Sequence, residues 1–152
     1  MLTINSILCP VDFSKISDNA LPYAKELARN SGAKIILLNV IGENFTDPYG
    51  IETISLDQPE RSKKDAEAKL EKLAATLKSE LENSVIETKV VQGNATEVIV
   101  NTAKEANADL IVMASHGRTG LGRLLMGSVA EWVFRNAPCP VLMVKPTEED
   151  LA

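Results

Sequence analysis

No apolar run in this chain approaches the ~20 residues that a membrane span requires, so the sequence offers no transmembrane helix. A basic leader is also missing. Met1 to Pro10 carries no cationic stretch ahead of its apolar residues, and no secretory signal is expected. There is no cationic excess, since 16 Lys and Arg face 21 Asp and Glu for a net charge of −5. That balance argues against nucleic acid or an anionic membrane as a partner, because both call for a basic field. Cysteine is scarce. Cys9 and Cys139 stand far apart and make neither a metal-ligand pair nor a redox pair. Two free, buried thiols are what a protein of the reducing cytoplasm would carry. Histidine occurs once and aromatic residues make up 4%.

What is present describes a globular chain. Its 152 residues are 45% hydrophobic and 24% charged, which excludes a disordered polymer. That length suits one domain able to bury roughly 70% of its unfolded surface. The pattern places the domain at 1–146 and leaves Thr147 to Ala152 as a loose tail.

Two hydrophobic periods alternate along the domain. Ile4 to Val11 is β-branched and reads as a strand buried on both faces. Ser17 or Asp18 is placed to cap a helix running to about Asn30, with Pro22 in its first turn and Gly32 just past its end. Lys34 to Ile41 is a second buried strand. Residues 42–59 show no period, and an aperiodic connection of that length is expected to be a lid, a binding loop or a mobile connection. Glu60 to Glu82 turns strongly helical, with Ala66, Leu70, Leu73, Leu77 and Leu81 on one stripe and a solvated charged face opposite. Val85 to Val91 follows as a third strand. Asn94 with Glu97 forms a capping box for a helix to about Asn107, and Leu110 to Ala114 is a fourth strand. Ser128 with Glu131 forms a second capping box, for a helix through about Arg135. Its Trp132 and Phe134 are expected in the core or an interface. Pro138-Cys139-Pro140 stops that helix, and Val141 to Val144 is the fifth strand. This alternation predicts a single doubly wound α/β domain. Its sheet has five mostly parallel strands, with helices on both faces and right-handed crossovers.

Open sheets of this kind bind ligands outside the carboxyl ends of their strands. The segment after the fourth strand carries the most information there. Gly117, Gly120, Gly122 and Gly127 lie close together, Arg118 and Arg123 are the only charges between Leu110 and Ala130, and a helix start follows. Glycines let backbone N–H groups converge, and a helix start favours an anion. A phosphate site is expected. The loop is no P-loop, and its Gly-x-x-Gly-x-Gly spacing reverses the dinucleotide fingerprint. His116 lacks partners in the neighbouring sequence for a catalytic grouping or a metal. It is expected to position the backbone or to face solvent.

The frame Ala114-x2-Gly117-x9-Gly127-Ser128 resembles the loop of the universal stress protein family, whose nucleotide-binding members carry Gly-x2-Gly-x9-Gly-Ser/Thr. The resemblance extends to Ile7-Leu8-Cys9-Pro10-Val11-Asp12-Phe13-Ser14, to the second strand ending at Val40, and to Cys139-Pro140-Val141-Leu142-Met143-Val144. One position departs from the pattern: Ala114 stands where the family has glycine, and its methyl group narrows the space beside a ribose or phosphate. The resemblance implies a Rossmann-like fold of the adenine nucleotide alpha hydrolase type that binds ATP, with or without Mg2+, or else AMP or ADP. It implies that Asp12 faces the adenosine, that Val40 meets adenine through its backbone, and that Gly127-Ser128 holds phosphates together with Gly117. Neighbouring lining is expected from Pro10, Val11, Met113, Ser115, His116, Arg118 and Val129. It further implies a cytoplasmic, non-enzymatic stress-response regulator that dimerises through the strand 141–144. Two rivals share the fold. An adenylate-forming or phosphotransfer enzyme would need a general base or a metal-binding carboxylate pair near the phosphates. A nucleotide-free interaction module would use Ala114 to close the site.

Overall fold

A computed structural model describes residues 1–42, 59–116 and 126–150. Five strands form one sheet: β1 Ser6–Pro10, β2 Lys34–Ile41, β3 Ile86–Gln92, β4 Leu110–Ala114 and β5 Val141–Val144. Their order is β3-β2-β1-β4-β5, and every neighbouring pair is parallel. The chain thus starts at the centre, winds out to β3, and returns past β1 to β4 and β5. The winding reverses between β1 and β4. At such a switch point the connections leave on opposite faces and open a crevice.

Between the strands run α1 Lys15–Asp18, α2 Leu21–Ser31, α3 Pro59–Glu80, α4 Ala95–Glu105 and α5 Ser128–Asn136. Two cores result, one on each side of the sheet. Ala24 and Ala28 of α2, with Leu70, Ala74 and Leu77 of α3, cover Ile7, Ile35 and Leu37. Ile99, Val100 and Ala103 of α4, with Ala130 and Val133 of α5, cover Leu8, Ile36 and Ile111. All five residues of β1 are buried, as a central strand covered on both faces must be.

Helix ends follow local chemistry. Gly32 closes α2 at φ 75°, a left-handed conformation open to glycine, and its N–H donates to the Ala28 carbonyl. Asn107, also left-handed at φ 49°, ends α4 while the Ala108 N–H reaches back to the Ala103 carbonyl at 2.9 Å. The Asn94 side chain accepts from the Thr96 N–H at 3.0 Å and caps α4 as expected. Asn94→Ala should therefore lower stability by about 1 kcal/mol. A urea unfolding curve with its midpoint moved and its slope unchanged checks that loss.

Two expectations are corrected. The first helix is broken in two. Ser14 caps α1 by accepting from the Ser17 N–H, while Ala20 opens α2 with no side-chain cap. Neither Ser17 nor Asp18 is a cap. The second capping box does not form, because Gly127 is the N-cap of α5 and Ser128 is its first helical residue. Glu131 pairs with Arg135 at 2.8 Å instead. Trp132 and Phe134 are exposed on α5, at 49% and 61%, so of the two expected places the core is excluded and an interface is not. Ala130 and Val133 are the residues that α5 buries. Thr147 to Asp150, the described part of the C-terminal segment, carries hydrogen bonds of its own. Asp150 Oδ2 accepts from the Thr147 N–H and hydroxyl, both at 2.8 Å, and from Asn19 Nδ2 at 2.6 Å. The Thr147 bonds, backbone first, hold the Asp150 carboxyl below the usual carboxylate range. The aperiodic connection 42–59, expected as a lid, a binding loop or a mobile stretch, lies outside the described residues but for Gly42 and Pro59.

Candidate functional site

Proline opens the site. Val11 turns its N–H to β2, donating to the Leu38 carbonyl at 2.8 Å. Pro10, the residue before it, therefore turns to β4, and it has no N–H to give. The β1–β4 ladder stops at Leu8↔Ile111, short of the end of β4 at Ala114. Beyond that point the strands part around a cavity of about 330 Å³. A volume of that order suits one small ligand.

The parity of β2 decides which backbone groups look into the cavity. Ile35 and Ile41 face β3, through the Ile35 N–H to Val85 and the Ile41 carbonyl from Gly93, both at 2.9 Å. Lys34 and Leu38 face β1, through the Lys34 N–H to Asn5 at 3.0 Å and the Leu38 carbonyl from Val11. In a parallel strand alternate residues serve alternate neighbours. Val40 therefore points its N–H and carbonyl to the β1 side, where β1 has already ended, and it lines the cavity. A donor and an acceptor side by side on an unpaired strand end can read the edge of a flat heterocycle.

Asp12 follows directly on Val11. Its Oδ1 accepts from the Ser14 N–H and its own N–H donates to Ser17 Oγ, both at 2.9 Å. The carboxylate thus serves an Asx turn at the head of α1 while lining the cavity. Buried Asn39, on the opposite face of the sheet, donates from Nδ2 to the Val11 carbonyl at 2.9 Å. That bond pins the corner from behind. The signal for it was in the sequence, because an amide inside an apolar run must find a partner when buried.

The far wall comes from the end of β4 and the start of α5. Met113, Ala114, Ser115 and His116 line the cavity and all four are buried. His116 is therefore not solvent-facing, and its Nδ1 lies 2.9 Å from Ser115 Oγ. The Ser115 backbone ties two elements together. Its N–H donates to the Val144 carbonyl at 2.9 Å and its carbonyl accepts from the Gly127 N–H at 2.8 Å. The Gly127 N–H is thus engaged and cannot serve a ligand. The next N–H groups, those of Ser128, Val129 and Ala130, are the helical donors without intrahelical acceptors, and no side chain caps them. All three residues line the cavity, so it ends on the positive pole of α5. Gly117 and Arg118 lie outside the described residues.

Five lining residues were not foreseen: Ser17, Leu38, Ala95, Ile99 and Ala130. Leu38 follows from the parity of β2, but Ala95 and Ile99 enter only because the crossover after β3 lays α4 beside the crevice. Among the described residues no group of three or more His, Cys, Asp or Glu is placed to hold a metal ion. Cys9, fully buried beneath the site, has its thiol pushed up to about 12 by burial and then by Asp18. It stays a neutral thiol.

Comparison with known proteins agrees with this architecture. The family model for the universal stress protein family matches residues 3–145. Universal stress protein MJ0577 of Methanocaldococcus jannaschii is 34% identical over 151 residues, covering 91% of this chain and 93% of its own. The solved structure of MJ0577 superposes with a TM-score of 0.76 at 33% identity, over 97% of this chain and 99% of that one. A universal stress protein solved in complex with cAMP aligns with a TM-score of 0.70 at 25% identity, over 96% and 100% of the two chains. The universal stress protein of Archaeoglobus fulgidus in complex with dAMP has the same fold, with a TM-score of 0.64 at 24% identity over 95% and 100%. The family match spans the whole doubly wound domain that carries this crevice, and the chain belongs to the universal stress protein family.

Proposed function

We propose that the chain binds ATP in this cavity and acts as a cytoplasmic, non-enzymatic stress-response regulator that works as a homodimer. The observation that carries the reading is the pairing of two features across one cavity. The outward N–H and carbonyl of Val40 stand at one side, and the uncapped start of α5 at the other. Adenine offers a ring nitrogen to the Val40 N–H and an amino group to its carbonyl. Val11, Leu38, Ile99 and Met113 supply apolar walls for the base. Ribose hydroxyls donate to Asp12, and phosphate oxygens accept from Ser128 and Val129. Mg2+, where present, enters with the nucleotide on its phosphates. A relative with the same fold holds cAMP, which supports an adenine seat.

A binding role rather than a catalytic one draws support from where the ionisable groups are engaged. Asp12 serves its turn and the His116 ring contacts Ser115. Isothermal titration with ATP, ADP and AMP, each to about 1 mM, tests the reading, alongside phosphate release from bound ATP. Heat of binding with intact ATP is expected. Silence with all three nucleotides would remove the function, and steady turnover would convert the regulator into an enzyme.

Ala114 lines the cavity where the family motif has glycine. Ala114→Gly should tighten ATP binding by about tenfold at most, at a cost of roughly 0.5–1 kcal/mol for a glycine inside a strand. Parallel titrations and thermal melts of the two proteins measure both effects. An unchanged affinity would show that the methyl group does not touch the nucleotide.

A further inference from the structure

The corner between β1 and α1 is a wall with two sides. Asp12 and Ser17 line the cavity just described. Phe13 and Asp18 line a second one, of about 320 Å³, completed by Lys69, Lys72, Leu73 and Thr76 of α3. Phe13 holds a left-handed backbone at φ 65°, uncommon for a bulky side chain. Strained residues of this kind gather where surrounding contacts over-determine them, often at ligand sites. Here the Asx turn of Asp12 grips the backbone, and the Lys69 ammonium sits 5.4 Å over the Phe13 ring.

Among the described residues the charged groups of this second cleft are not paired with one another or with other charges. Lys69 and Lys72 are three residues apart on α3 and so lie side by side. Neither forms an ion pair among the described residues. Asp18 Oδ1 is buried with no hydrogen-bond partner. Burial, then the charge of Asp12, pushes the Asp18 carboxyl above the usual range. Two cations without a carboxylate partner can take an acid group, and an orphaned buried acceptor can take a donor. Phe13 and Leu73 provide an apolar face for a short carbon skeleton.

We propose that this cleft is a second small-molecule site, for a hydroxy acid, whose occupancy is transmitted to the first cavity through the corner Asp12–Asp18. The ligand carboxylate lies between Lys69 and Lys72, and its hydroxyl donates to Asp18 Oδ1. Filling the cleft fixes Phe13 and Asp18, and with them Asp12 and Ser17 on the other side of the same wall. The transmission rests on the nucleotide reading, whereas binding in the cleft does not.

The test is a backbone amide NMR titration of the full chain with malate, succinate and inorganic phosphate, each to about 10 mM, tenfold above a weak site's ~1 mM constant. Malate is expected to move the amides of Phe13, Asp18, Lys69 and Lys72. Succinate, lacking the hydroxyl, should bind at least tenfold more weakly. Lys72→Gln should weaken malate about tenfold and leave the affinity for ATP alone unchanged. Saturating malate should then shift ATP affinity by about fivefold in the parent protein and not in Lys72→Gln. Absence of malate shifts, or equal binding of malate by Lys72→Gln, overturns the site. Phosphate binding as well as malate overturns the hydroxy acid. ATP affinity indifferent to bound malate overturns the transmission, and a protein that binds malate but no ATP separates this site from the failure of the nucleotide reading.

Discussion

Gly127→Val is expected to lower ATP affinity about a hundredfold, or roughly 3 kcal/mol, the worth of two charge-assisted hydrogen bonds that can no longer close. The backbone at Gly127 has φ −60° and ψ 151°, an extended conformation that valine also adopts. The variant should therefore fold and keep its N–H bond to the Ser115 carbonyl. What changes is the space at the head of α5. Three added carbons at this cavity-lining position stand against the approach of phosphate to the N–H groups of Ser128 and Val129. The loss should be largest for ATP and smallest for adenosine, because the base and sugar are held by β1 and β2. Titration of both ligands, with thermal melts as the folding control, measures the contrast. Equal affinity of a folded variant for ATP would take phosphate away from α5 altogether.

The two hydrophobic periods made most of the architecture legible before any coordinates. Ile35 to Leu38 reads as a strand because a run apolar on both faces must be covered on both faces, and both cores do cover it. Gly32, Asn94 and the stop at Pro138-Cys139-Pro140 also act where the sequence puts them. What failed was local detail that depends on distant partners. Ser128 looks like a cap because Glu131 follows three residues later, yet Gly127 takes that position where the Ser115 carbonyl anchors its N–H. Ser17 looks like a cap too, but its hydroxyl accepts from the Asp12 N–H. Nothing in a phenylalanine announces a left-handed backbone, so the bend at Phe13 was invisible. Gly117, Gly120 and Gly122 of the glycine-rich loop lie outside the described residues, whereas the candidate cavity was legible as a place through the reversal of winding. Its chemistry was less so, because the direction of the Val40 N–H depends on strand register and on where β1 ends.

Leu142→Lys is expected to turn a homodimer into a monomer. Among the described residues β5 ends the sheet and pairs with β4 alone, so its outer edge carries N–H and carbonyl groups with no strand partner among them. Its four residues are Val, Leu, Met and Val, with neither the charge nor the proline that shields an edge against pairing. A second copy can satisfy this edge by antiparallel pairing about a two-fold axis, which brings the same residues of both protomers together. The neighbouring α5 adds exposed Trp132 and Phe134, apolar area that a strand pair of four residues alone lacks. A lysine at position 142 on each copy sets like charges near the axis, where facing cations repel across a strand pair. Sedimentation at micromolar concentration should give the dimer mass for the parent and 16.5 kDa for the variant. Because Leu142 also packs partly against the core, Met143→Glu, which alters the opposite face of the strand, serves as a second probe. Circular dichroism identifies any variant that fails to fold. A parent chain sedimenting as a 16.5 kDa species with and without ATP would refute the edge pairing, as would two folded variants that remain dimers.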